Sequence, residues 1–89
     1  MKTPPKWVLA KLSQKERSQY STYTYMNGNC RTNLKGCHRF GIGDTEIVIS
    51  RTGKIYLSRN LCHRLNGPAV VDFLFREKQW WINGVRWDI

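Results

Sequence analysis

Five residues of this 89-residue chain carry the chemistry of a metal site: Cys30, Cys37, His38, Cys62 and His63. Thiolate and imidazole are the usual ligands of structural zinc, which draws them in pairs roughly two to four residues apart. Here Cys30 and Cys37 are separated by six residues, and the Cys-His pairs are adjacent. Adjacent side chains leave a strand on opposite faces, so neither pair can close on one ion, and no metal or other cofactor is expected. Nucleophilic catalysis needs a base and a group that orients it. The acids Asp44, Glu46, Asp72, Glu77 and Asp88 are scattered, with no pair at helical spacing, and Gly41-Ile42-Gly43 runs into a strand rather than a phosphate-binding helix. The chain therefore reads as non-enzymatic.

Charge is the second chemical signal. The net formal charge is +9, and it is uneven: residues 1–39 set eight basic groups against Glu16, whereas residues 40–89 set seven against five acids. A field of this sign speeds encounters with phosphate backbones and with acidic proteins alike. In the nucleic-acid reading the binding residues are Lys6, Lys11, Lys15, Arg17, Arg31, Lys35 and Arg39, with Tyr20, Tyr23 and Tyr25 close enough to offer stacking faces.

The elements that must position these groups are mostly strands. Glu46–Ser50 and Lys54–Ser58 are β-branched and aromatic runs joined by Arg51-Thr52-Gly53, a three-residue hairpin connection. A second hairpin is expected from Ala69–Phe75 and Gln79–Ile82 across Arg76-Glu77-Lys78, with Asn83-Gly84 as the next turn. Phe73 to Phe75 and Trp80 to Ile82 are apolar on both faces, which implies either a doubly covered strand or a surface for a partner. Before them, Thr3 as a cap, Pro4 and Pro5 in a first turn and Trp7, Val8, Leu9 and Leu12 on one side predict a short amphipathic helix. Ser18–Tyr25 reads as a linker, although the alternation of Tyr23 and Tyr25 also suits a strand.

Two segments repeat. His63-Arg64-Leu65-Asn66-Gly67-Pro68-Ala69 has a fainter copy beginning at Cys37-His38-Arg39, and Ile55-Tyr56-Leu57 falls on Trp80-Trp81-Ile82, so the period is 24 or 25 residues. Thr24–Gly28 mirrors the aromatic-x-Asn-Gly end of the unit, followed by an insertion before His38. Cys37 and Cys62 then occupy matching places and are expected to fill small apolar spaces as thiols, while His38 and His63 hold the turns through ring hydrogen bonds. Trp80 and Trp81 sit at the unit's aromatic position, which predicts packing between hairpins; Trp87 takes the place of His63 in one register and would close the stack.

Over residues 24 to 89 the pattern resembles the MORN-like repeat variant of small bacterial and phage proteins, whose unit reads roughly W-x-x-N-G-x-x-H-R-x-x-G-P-A. The second unit carries the match, and the first has Phe40-Gly41-Ile42-Gly43 where the second has Leu65-Asn66-Gly67-Pro68. The resemblance implies a row of antiparallel hairpins serving as a binding scaffold, with no shared catalytic set.

The expected fold is mainly β: antiparallel hairpin repeats forming a small sheet, with a short N-terminal helix. Residues 1–23 form a basic helix and linker, and 24–89 the hairpin repeat domain, in one domain overall. A core this small gains from a hairpin stack or from homo-oligomerisation. No apolar run of about 18 residues crosses a membrane, no signal peptide is evident, and three cysteines fit a reducing compartment, so the expectation is cytoplasmic, the host cytoplasm for a phage product. The functional expectation is a small phage accessory or anti-defence protein that blocks a host protein's acidic surface through Phe73, Phe75 and Trp81, flanked by Arg76 and Arg86. The alternative is the basic nucleic-acid-binding module.

Overall fold

Strand-forming residues pair in the order that short hairpins impose. The computed structural model describes residues 3–20, 22–29 and 35–87. Among these, β1 (Thr22–Asn29), β2 (Lys35–Ile42), β3 (Thr45–Ile49), β4 (Gly53–Ser58), β5 (Leu61–Cys62), β6 (Val70–Asp72) and β7 (Lys78–Gln79) make one antiparallel sheet. Strands β8 (Trp81–Ile82) and β9 (Val85–Arg86) make a separate hairpin. The protein is thus mainly β, with short N-terminal helices.

The N-terminal segment holds two helices, α1 (Lys6–Leu9) and α2 (Gln14–Gln19), rather than one. Thr3 does not cap α1, whose N-cap is Pro5 with no side-chain bond. The break falls at Ser13, whose hydroxyl accepts from the Glu16 N–H while the Glu16 carboxylate accepts from the Ser13 N–H, a reciprocal capping box. The linker reading of Ser18–Tyr25 gives way to the strand reading from Thr22 onward, because Tyr23 and Tyr25 alternate against Phe40 and His38 of β2.

Alternation in β2 to β4 sorts side chains onto two faces. Phe40, Ile47, Ile49 and Tyr56 point to one, where Val8 and Leu12 of the N-terminal segment complete the main core. Cys37, Val48, Ile55 and Leu57 point to the other, joined by Cys62 and Val70. Ser50, 1 % exposed in the β3–β4 turn, satisfies its hydroxyl locally by accepting from the Thr52 N–H at 3.2 Å.

The repeat is visible as equivalent pairings. Tyr25 faces His38, the His63 N–H donates to the Tyr56 carbonyl and the Trp87 N–H donates to the Trp80 carbonyl, both at 3.1 Å. One step along, Cys37, Cys62 and Arg86 pair with Met26, Leu57 and Trp81. The turns Arg59-Asn60 (φ 51° and 67°) and Asn83-Gly84 (φ 48° and 81°) lie in the left-handed region that two-residue hairpin turns require. These two turns are 24 residues apart, which puts Trp87 where His63 stands one unit earlier, whereas Cys37 to Cys62 and His38 to His63 span 25.

Two further expectations fail. Strand β6 ends at Asp72, so Phe73, Leu74 and Phe75 belong to the turn before β7 and not to a strand. The cause is Asp72, whose Oδ1 accepts from the N–H groups of Leu74 (2.8 Å) and Phe75 (3.0 Å) and bends the chain. Cys37 is a half-cystine rather than a packing thiol, whereas Cys62 is a thiol. That bond departs from the all-thiol chain expected of a reducing compartment.

At Gly84, a Cβ would lie 3.1 Å from Leu61 Cδ2, on a backbone with φ +81°. Gly84→Val is expected to cost about 1–3 kcal/mol, read as a lower urea midpoint; an unchanged midpoint would remove the turn from the account of register.

Candidate functional site

The residues proposed for partner docking differ in exposure. Phe75 (74 % exposed), Leu74 (67 %) and Arg76 crown the β6–β7 turn. Phe73 lies against the main core, with the Lys11 ammonium 4.5 Å from its ring centre. Trp81 is half-buried on the same core, its indole N–H donating to Gln79 Oε1 at 2.9 Å, so it is not an exposed anchor. Arg86 is half-buried across β8–β9 from Trp81. The signal that separates Phe75 from Trp81 was the Asp72 turn.

Of the cationic set, Lys6, Lys11, Lys15 and Arg17 are exposed on the N-terminal segment. The Arg17 Nε–H donates to the Leu9 carbonyl at 2.9 Å, locking α1 to α2. Arg39 forms an ion pair with Glu46 at 2.5 Å. Lys35 opens β2 opposite Asn29, and Arg31 lies outside the described residues.

His38 and His63 do hold structure through ring nitrogens. Tyr23 Oη lies 2.7 Å from His38 Nδ1, and the Trp7 ring meets the imidazole edge-on at 5.4 Å. Burial, then the nearby Arg51 charge, holds the His38 imidazole below its ordinary pKa and keeps it neutral. Cys37 and His38 lie in clusters on opposite faces. Among the described residues no three His, Cys, Asp or Glu converge on a metal position.

The constellation that sequence reasoning missed is centred on Tyr56. Its hydroxyl donates to Glu16 Oε2 at 2.5 Å, joining α2 to β4 across forty residues of chain. The Arg64 guanidinium lies 4.0 Å and the Lys54 ammonium 5.0 Å from the Tyr56 ring centre. Burial pushes the Glu16 carboxyl up, but the bonds from Tyr56 and Ser13 and the Lys54 charge outweigh it, and the net shift is downward. Burial and then the bond to Glu16 push the Tyr56 phenol far above its usual range. The Lys54 ammonium is held low by burial against the pull of Glu16, and donates to the Lys11 carbonyl at 3.0 Å. Beside this cluster opens a cleft of about 360 Å³ between α2 and residues 63–66. The capping-box spacing of Ser13 and Glu16 was legible in the sequence; the partnership with Tyr56 was not.

No family model matches the chain, and no curated protein or solved structure does. Among the described residues no helix is long and apolar enough to cross a membrane.

Proposed function

We propose that the protein is a non-enzymatic binding module that docks on an acidic protein surface through the tip of the β6–β7 hairpin. The observation that carries this reading is Phe75, 74 % exposed beside Leu74 on a turn whose backbone Asp72 holds with two hydrogen bonds. An aromatic anchor on a fixed turn binds with little ordering cost, because the backbone is already in place. Arg76 beside it, Lys11 over the ring of Phe73 and the net charge of +9 favour an acidic partner. With the repeat pattern, the reading extends to a small phage-type accessory protein that blocks a host protein in the host cytoplasm.

The test compares Phe75→Ala with the triple reversal of Lys6, Lys15 and Arg17 to glutamate, leaving Lys11 in place because it covers Phe73. Against the captured partner, Phe75→Ala is expected to cost on the order of 2 kcal/mol in affinity, while charge reversal mainly slows association. Binding that survives Phe75→Ala but disappears with charge reversal, nuclease or moderate salt would replace this reading with the nucleic-acid one, since phosphate contacts weaken steeply with salt.

A further inference from the structure

The cleft beside Tyr56 lies at the opposite end of β4 from the docking tip: β6 leaves β4 at Gly53, whereas the cleft is lined by Tyr56, Leu57 and the segment after β5. Its volume, about 360 Å³, falls within the range of small-molecule sites. Lys15 and Arg64 bring two positive charges to its wall, and Glu16 brings one negative charge. That carboxylate is already engaged at both oxygens, Oε1 by the Ser13 N–H and Oε2 by the Tyr56 hydroxyl. The cleft is therefore richer in donors than in acceptors.

Two of those donors are held in place before any ligand arrives. Arg64 lies over the Tyr56 ring, and one of its N–H groups donates to the Pro68 carbonyl at 3.1 Å. A guanidinium so fixed keeps the rest of its planar fork for an oxyanion. The His63 Nδ1 accepts from the Asn83 N–H at 3.0 Å, so the neutral ring carries its proton on Nε2 and is a donor there. Ile47 and Leu65 add apolar lining, and Leu65 is 76 % exposed.

We infer that this cleft binds a small oxyanion ligand, a phosphate or carboxylate joined to a compact, partly apolar body of about mononucleotide size. Arg64 and Lys15 neutralise the head group, His63 donates to it, and Leu65 covers the body. This site is independent of the docking tip, and its ligand is a small molecule rather than a macromolecular surface.

Titration of the full chain with AMP, followed by the side-chain NMR resonances of Arg64 and the methyl resonances of Leu65, is expected to give saturable shifts. Adenosine, which lacks the oxyanion, should bind at least about tenfold more weakly. Succinate as a competitor distinguishes the sources: displacement of AMP assigns a carboxylate-tolerant head-group site, and undisturbed AMP assigns phosphate. Arg64→Gln should weaken AMP about tenfold. Because Arg64 also packs on Tyr56, Lys15→Gln on the exposed side of α2 gives a second variant, with about threefold loss expected. No saturation with AMP or succinate, equal affinity for adenosine, or AMP binding unchanged in both variants would overturn the assignment. Phe75→Ala should leave AMP binding as it is, so failure here and failure of the docking reading are separable.

Discussion

Truncating Phe40 to alanine should lower the unfolding free energy by about 3–5 kcal/mol, a large share of what a domain of this size has to lose. Phe40 is completely buried at the centre of the main core, with the Tyr20 ring edge-on at 4.8 Å and the Tyr23 ring tilted at 5.1 Å. Its removal loses the transfer free energy of the ring and leaves a hole between the sheet and the segment bearing Val8 and Leu12, which share its cluster. The two flanking tyrosines cannot close that hole without giving up their own positions, so little relaxation is expected. Urea denaturation with a common m-value is the measurement. A loss below about 1 kcal/mol would mean that the N-terminal helices do not pack on the sheet as described.

The second large effect is expected in acid. Above the ordinary carboxyl pKa near 4.5, Glu16 is ionised in both folded and unfolded chains, and the folded chain gains its bonds to Tyr56 and Ser13. Its folded pKa is depressed, so this stability is present above about pH 4.5 and is lost as pH falls through the folded value. His38 acts in the same direction at higher pH. Its folded pKa lies below the ordinary 6.5, so the unfolded chain takes up a proton first and stability declines as pH falls from 6.5 through the folded value. Unfolding free energy against pH should therefore fall in two stages. Tyr56→Phe is expected to cost about 1–2 kcal/mol at neutral pH, a charged hydrogen bond discounted for the partial exposure of Glu16, and to shrink the lower stage alone. A double-mutant cycle with Glu16→Gln should recover most of that cost as coupling. Additive losses, or a pH profile that Tyr56→Phe leaves intact, would separate the two residues energetically.

The β-branched and aromatic runs of β3 and β4 and the connection Arg51-Thr52-Gly53 were enough to predict the first hairpin, because such side chains favour strands and a three-residue connection ending in glycine favours the turn between them. The turn at Asn83-Gly84 was equally local, since hairpin register follows from which residues accept positive φ. Sequence alone left the period at 24 or 25, and the structure holds both: 25 from Cys37 to Cys62, and 24 between the turns at Arg59-Asn60 and Asn83-Gly84. The division of the N-terminal segment was also written in the chain, in the Ser13 to Glu16 spacing.

Other features were decided by tertiary structure. Whether the apolar run Phe73-Leu74-Phe75 continued a strand or turned depended on competition between β-propensity and the Asp72 carboxylate, and two local hydrogen bonds won. Trp81 and Phe75 look equally apolar in sequence, yet one is half-buried on the core while the other stands in solvent, because burial depends on which elements fold back over each ring. The disulfide at Cys37 could not be inferred from cysteine count, and the Arg39–Glu46 ion pair needed two strands in register. Most plainly, the Tyr56–Glu16–Arg64 constellation joins three segments distant along the chain. No periodicity encodes such a meeting; it arises only when α2 and the loop after β5 close over the same end of β4.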